Sequence, residues 1–256
     1  MKRLVVILCG LALVGCSWWN KDDNDTNSAF KGMTAEQLYV EAKKSLAADQ
    51  YTSASKRLEA LESMYPFSPY SERSQRLLIY AYYQNLEYAA AAAESEHYTH
   101  LYPRSNHVDY GYYMKGLANF QQQRGAMGRA MPVDESWRDP GTQVQAYTDL
   151  LIFTQKFPRS IYYANAMQRL IYLRNEFAQR ELNNAEFAFD RRMYVAAAGR
   201  ASYLVRTYPQ APSVERALII MVKSYNALGL KQSAQEAAAV YAATYHHPID
   251  LSRYNN

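Results

Sequence analysis

Cysteine is nearly absent from this chain of 256 residues: there are two, Cys9 and Cys16. Two thiols so near one end cannot staple the body of the protein, so its stability has to come from a packed apolar core. Glycine and proline are scarce, at 10 and 9 residues, which excludes collagen-like and low-complexity chains. Long apolar runs are missing too. The longest, Leu4 to Val14, is about half the roughly 20 residues a membrane-spanning helix needs. The net charge is only +4, too weak a field to indicate nucleic acid as a partner. No nucleophile motif and no glycine-rich phosphate loop is present. His97 and His100 share a helix face, as two metal ligands do, but no third ligand follows at suitable spacing, so no metal is expected. Asp22, Asp23 and Asp25 lack the glycine and terminal glutamate of a calcium loop and read as a solvated patch. These absences predict a protein that is not an enzyme and carries no cofactor.

What is present at the start of the chain points to the cell envelope. Lys2 and Arg3 precede the short apolar run, the pattern of a secretory signal peptide. The run ends in Leu13-Val14-Gly15-Cys16, which resembles the lipobox of bacterial lipoproteins. That resemblance implies that residues 1–15 are a signal peptide, that Cys16 is diacylated on its thiol, and that the amine freed by cleavage is acylated. Each buried methylene contributes about 0.8 kcal/mol and one chain alone binds only marginally, so three chains form a durable anchor. Ser17, where an aspartate tends to retain lipoproteins at the inner membrane, implies sorting to the outer membrane. Residues 16–33 are polar and without helical periodicity, as expected of a lipidated flexible tether. Trp18 and Trp19 suit the membrane interface beside it.

From Thr34 onward the chain is rich in Ala, Tyr, Leu, Glu, Gln and Arg, with no sustained two-residue alternation, so it reads as all-α. Three stripes show helical spacing: Val214, Ala217, Leu218, Met221, Tyr225 and Leu228; Ala234, Ala237, Ala238, Tyr241 and Tyr245; Ala166, Leu170, Leu173 and Phe177. Each predicts a core-facing surface. An aromatic-proline pair then recurs at Tyr65-Pro66, Tyr102-Pro103, Phe157-Pro158 and Tyr208-Pro209, with Tyr245-His246 in the same place near the end. Twelve residues before each second member stands an alanine: Ala54, Ala91, Ala146, Ala197 and Ala234.

This register resembles the tetratricopeptide (TPR) repeat, a pair of antiparallel helices in about 34 residues. A small alanine lets two helices cross closely, and proline cannot continue the helix it follows. In the first repeat, Leu38, Ala42, Ala54, Leu58 and Pro66 stand at the repeat's characteristic positions. The two middle intervals are longer than the others. One excess lies at Gln121 to Trp137, where Gly125, Gly128 and Pro132 break the periodicity; the other lies around Arg180 to Arg192, where a helix is expected to overrun. Asp139-Pro140 reads as an N-cap with proline at the first helical position. The expected organisation is a TPR-like α-solenoid of about five helix pairs. It comprises N-terminal repeats over 34–123, a loop insertion over 124–139 and C-terminal repeats over 140–256. Such an array curves into a groove that binds other proteins. Periodicity alone leaves the partner open. An envelope lipoprotein that organises peptidoglycan or division proteins would look the same.

A closer resemblance narrows this. Tyr65-Pro66-Phe67-Ser68-Pro69-Tyr70 with Leu77 to Tyr83, Val108 to Leu117, Arg138-Asp139-Pro140, and Tyr194 to Ala201 leading to Tyr208-Pro209 are similar, in order and spacing, to the BamD (ComL) lipoproteins. The resemblance implies a scaffold of outer-membrane β-barrel assembly on the periplasmic face. Its partners would be the POTRA domains of BamA, unfolded outer-membrane proteins, and BamC and BamE where present. It further implies that Tyr65 meets the substrate signal and that Arg200 belongs to the BamA-facing part. Read as residues alone, Tyr65 equally suits packing between repeats, and Arg200 a solvated local ion pair. Two departures stand out. Arg192-Met193 occupies a place where the family usually has Gly-Ala, and Gly199 replaces a common Asn.

Overall fold

The computed structural model describes residues 28–122 and 141–250. The expected signal peptide, most of the tether with Cys16, and the 124–139 insertion with Asp139-Pro140 lie outside the described residues. Ten α-helices follow one another and no strand occurs among the described residues: α1 Ala35–Ala47, α2 Tyr51–Met64, α3 Ser71–Gln84, α4 Tyr88–Leu101, α5 Val108–Gln122, α6 Gly141–Lys156, α7 Tyr163–Asp190, α8 Tyr194–Thr207, α9 Val214–Ala227 and α10 Lys231–Tyr245. Among the described residues α1 pairs with α2, α5 with α6, α7 with α8 and α9 with α10, and a turn of the same kind joins α3 to α4; this is the all-α, TPR-like helical solenoid class that the repeat predicts. The overrun at Arg180 to Arg192 is the second half of α7, a helix of 28 residues. No described helix is long and apolar enough to cross a membrane.

Two local devices recur and build the hairpins. The first is the turn inside a pair. After α1, α3, α7 and α9 the second residue past the helix adopts a left-handed conformation: Asp49 (φ 55°), Leu86 (φ 66°), Arg192 (φ 61°) and Gly229 (φ 75°). The N–H that follows reaches back five residues, Gln50 to Ser45 O, Glu87 to Tyr82 O, Met193 to Ala188 O and Leu230 to Tyr225 O, each at 2.9 Å. This is the Schellman closure of a helix, which satisfies carbonyls otherwise left bare. Each repeat alanine of these four turns stands five residues beyond the left-handed residue.

The second device is the corner between pairs. Tyr65, Tyr102, Phe157 and Tyr208 each donate their backbone N–H to the carbonyl four residues back, at 2.8–2.9 Å, and the proline that follows stops the helix there. Their own carbonyls accept from Ser68, Ser105, Ser160 and Ala211, at 2.9–3.1 Å. The fifth site differs. Without proline, α10 runs through Tyr245 and ends at His246, itself left-handed (φ 59°, ψ 22°).

The chain forms two compact units, one up to Glu94 and the other from Ser95. In the first, Thr34 starts α1 with a capping box: its hydroxyl accepts from Gln37 N–H and the Gln37 side chain accepts from Thr34 N–H. Leu38, Ala42, Ala54, Leu58, Leu61, Leu78 and Ala81 are buried among α1, α2 and α3. In the second unit, α9 lies against α7, α8 and α10. Of the predicted stripe, Val214, Ala217 and Leu218 are buried and Met221 and Tyr225 half-buried, while Leu228 is exposed because α9 has already ended at Ala227; Ile219, Ile220 and Val222 are buried on its other sides. The five repeat alanines are 0–5 % exposed.

Candidate functional site

Tyr65 sits at the corner between α2 and α3. Its ring packs with Phe30, Met33, Tyr39, Met64 and Tyr70 against buried Leu38, Ala60 and Leu61. Its hydroxyl donates to Met33 O at 2.7 Å, and its carbonyl accepts from the Ser71 hydroxyl at 2.9 Å. The side chain thus ties the segment entering α1 to the corner leaving α2. Next to it Phe67 is 99 % exposed, so the corner shows one aromatic ring to solvent while Tyr65 is half-buried.

Arg200 lies in α8 with 57 % of its side chain exposed, and its Nη1 is 3.3 Å from Glu181 Oε2 of α7. Glu181 is only 16 % exposed, so the pair is half open to solvent and contributes about 1 kcal/mol. The same Glu181 acts on the next corner. Burial first, then Tyr203 and the charge of Glu181, push the Tyr208 phenol up to about 12. Arg200 and Glu181 therefore stand beside the corner that closes α8. Gly199 is one of the two departures from the family pattern, and a methyl group in its place would meet nothing within 4 Å. It leaves the surface there bare without opening the fold. The other departure, Arg192, occupies the left-handed turn position where glycine is the natural choice.

Two features of the structure carry chemistry that sequence reading did not single out. In the first unit, Gln75 Nε2 donates to Glu62 Oε1 at 2.7 Å and Tyr82 donates to Glu59 Oε1 at 3.0 Å. Glu94 of α4 lies beside them. Burial, then the charges of Glu62 and Glu59, against an opposing hydrogen bond from Gln75, raise its carboxyl to about 8. Three separate helices contribute these groups, so no local motif announces them. In the second unit, a cavity of about 410 Å³ opens at the corner between α6 and α7, bounded by the corner ahead of α5. Its signal was legible: Tyr102-Pro103-Arg104-Ser105 recurs as Phe157-Pro158-Arg159-Ser160. Extending the corner alignment by two residues finds Arg159.

The comparison with known proteins agrees with this architecture. Residues 31–240 match the YfiO family, described as an outer membrane lipoprotein. A protein of Vibrio cholerae serotype O1 named outer membrane protein assembly factor BamD is 36 % identical over 199 residues, 78 % of this chain and 83 % of its own length. Proteins of the same name from Neisseria meningitidis serogroup A and Xylella fastidiosa strain Temecula1 are each 32 % identical. They cover 95 % and 93 % of this chain, and 91 % and 80 % of their own lengths. The helix pairs, their recurring corners and a match from α1 into α10 lead to one conclusion: the chain belongs to the YfiO family of outer membrane lipoproteins.

Proposed function

We propose that this chain is a lipid-anchored scaffold of outer-membrane β-barrel assembly, held at the periplasmic face of the outer membrane through acyl chains on Cys16. It works by binding and not by catalysis. Its C-terminal repeats dock on the POTRA domains of BamA, its N-terminal repeats receive unfolded outer-membrane proteins, and BamC and BamE join where present. The observation that carries this reading is the similarity to assembly factors named BamD over 95 % of the chain. A generic TPR protein would share the packing alanines and the corners, and little between them.

Tyr65 and Arg200 are the residues through which the two partners are reached in this reading. Arg200 is accessible and, among the described residues, pairs with one carboxylate through one nitrogen, so its planar fork retains donors for a partner's carboxylate or carbonyl. Tyr65 acts through the corner it holds, with Phe67 as the exposed ring beside it.

The test is affinity purification of the chain, tagged at its C-terminus, from solubilised outer membranes. A POTRA-bearing barrel protein should copurify, and depletion of the chain should lower outer-membrane barrels generally. Recovery of cell-wall or division proteins alone, with normal barrel levels, would overturn the assembly role and favour a scaffold for peptidoglycan or division proteins.

A further inference from the structure

We infer that the corner cavity between α6 and α7 is a binding site for a peptide carboxylate carried next to an apolar side chain. Its cations come from one turn. Lys156, the last residue of α6, and Arg159, just past Pro158, both border the cavity and both are exposed. The Lys156 ammonium is positioned rather than loose: it lies 2.9 Å from the Tyr112 hydroxyl and 4.5 Å from the centre of that ring. Neither cation is ion-paired to a described residue.

The cavity has one carboxylate of its own, Asp109, and it is already engaged. Asp109 accepts from the Ser160 hydroxyl at 2.7 Å and from Tyr110 N–H at 2.9 Å. The Ser160 bond holds the two corners together; Asp109 keeps its negative charge, and Lys156 with Arg159 still leave the cavity net positive. An anion is the complement. The rest of the lining is apolar: Val108, Phe157 and Pro158. Phe157 is braced by Tyr112 at 5.2 Å and by Phe153 at 5.9 Å between ring centres, so this wall is rigid. A small inorganic anion would satisfy the cations and leave that wall wet. A carboxylate with an apolar neighbour on the same extended segment satisfies both, and Asn106, also in the lining, offers a side-chain amide that can bond a peptide backbone. The carboxylate is an Asp or Glu side chain or a chain terminus; the chemistry is shared. This inference rests on the reading of the chain as a protein-binding scaffold and adds a site to it.

The experiment is fluorescence anisotropy of labelled octapeptides against the full chain. The first peptide is C-terminally amidated and carries an internal Asp beside Phe; the second has Asn in place of that Asp; the third has no acidic side chain but a free C-terminal carboxylate after Phe. Saturable binding of the first peptide identifies a side-chain carboxylate, and of the third a chain terminus; either supports the site. The Asn amide should bind at least tenfold more weakly, and added salt should weaken the acidic peptide. The double variant Lys156→Glu/Arg159→Glu should lose at least tenfold with an unchanged circular dichroism spectrum. Lys156→Gln/Arg159→Gln, which keeps side-chain length, should give a partial loss and serves if charge reversal disturbs folding. Equal binding of the Asn peptide, unchanged binding by the variants, no peptide binding at all, or capture of anionic phosphatidylglycerol vesicles alone would each overturn the inference. None of these results touches copurification of a barrel protein, so this site and the assembly role fail separately.

Discussion

At the scale of single residues, the four turns inside helix pairs make the same backbone demand and meet it with different side chains. A left-handed residue other than glycine costs roughly 1–2 kcal/mol. Gly229 avoids that cost, and Asp49 is of a type that tolerates the conformation. Leu86 and Arg192 bear it in full. Both are exposed, so little packing is lost on truncation. Leu86→Gly and Arg192→Gly should each raise stability by about 0.5–1 kcal/mol, measured as a higher midpoint in urea with an unchanged slope. Glu94 makes a second residue-scale prediction. Its carboxyl lies near 8 in the fold against 4.5 ordinarily. Between those values the folded chain holds a proton that the unfolded chain has released. The stability from this group is therefore complete below pH 4.5, declines as pH rises, and is gone above 8. The melting temperature should fall between about pH 5.5 and 8.5, and Glu94→Gln should flatten that dependence.

At the scale of elements, α5 shows how close helix packing selects residues. A methyl on Gly111 would stand 2.7 Å from Thr99 Cγ2 and from Tyr98 Cδ1 in α4, and one on Gly116 would stand 2.8 Å from Leu150 in α6. Leu150 is fully buried and its backbone nitrogen is 3.2 Å away, so it has nowhere to move. Alanine gains about 1 kcal/mol of helix propensity over glycine, whereas overpacking a filled core costs typically 1–3 kcal/mol. Gly116→Ala should therefore destabilise despite the better helix former, by about 1 kcal/mol or more, read from thermal melting. Gly199→Ala is the internal control. With open space around it, only the propensity term acts, and the variant should be slightly more stable. Beside the Gly116 contact, a polar contact also crosses from α5 to α6. Asn119 Nδ2 donates to buried Asp149 at 2.8 Å, and Lys115 reaches both Asp149 and Glu96. Burial alone would lower the Lys115 ammonium, yet the bond to Glu96 and the charge of Asp149 outweigh it and raise it overall.

At the scale of the whole molecule, stability and partner binding are separable. Arg200→Ala removes one ion pair that is open to solvent on the arginine side, so circular dichroism should be unchanged and the melting temperature should fall only slightly. Under the assembly reading it should still weaken recovery of the POTRA-bearing partner. Unaltered partner recovery and growth in that variant would remove Arg200 from the interface. Tyr65 behaves differently, because its hydroxyl and ring both serve the fold. Tyr65→Phe should cost about 1 kcal/mol through the lost bond to Met33 O, and Phe67→Ala should cost almost nothing. A substrate defect in Phe67→Ala with an intact fold would locate binding on the exposed ring; one confined to Tyr65→Phe would reflect the corner's geometry.

Repetition explains what could be read without coordinates. The five alanines, the aromatic-proline corners and the long α7 were legible because each depends on local sterics repeated in register: small residues at crossings, proline at helix ends, apolar stripes at helical spacing. The conformation of Leu86 and Arg192 was not legible, because neither residue type prefers it; the turn geometry of the pair imposes it. Nor was the burial of Ile219, Ile220 and Val222 off the α9 stripe evident, since a stripe records one neighbour and α9 has three. Tyr65 and Arg200 could be named from the sequence, but their bonds to Met33 and Glu181 join residues far apart in the chain. The same holds for the Glu59, Glu62 and Glu94 cluster; of the Lys156 and Arg159 cavity the recurring corner was legible, and its approach to Val108 and Asp109 was not. Sequence by itself determined the helices, their order and their pairing, which follow from short-range sterics. Tertiary structure alone decided which charges meet, because a charge acts on whatever packing brings near it.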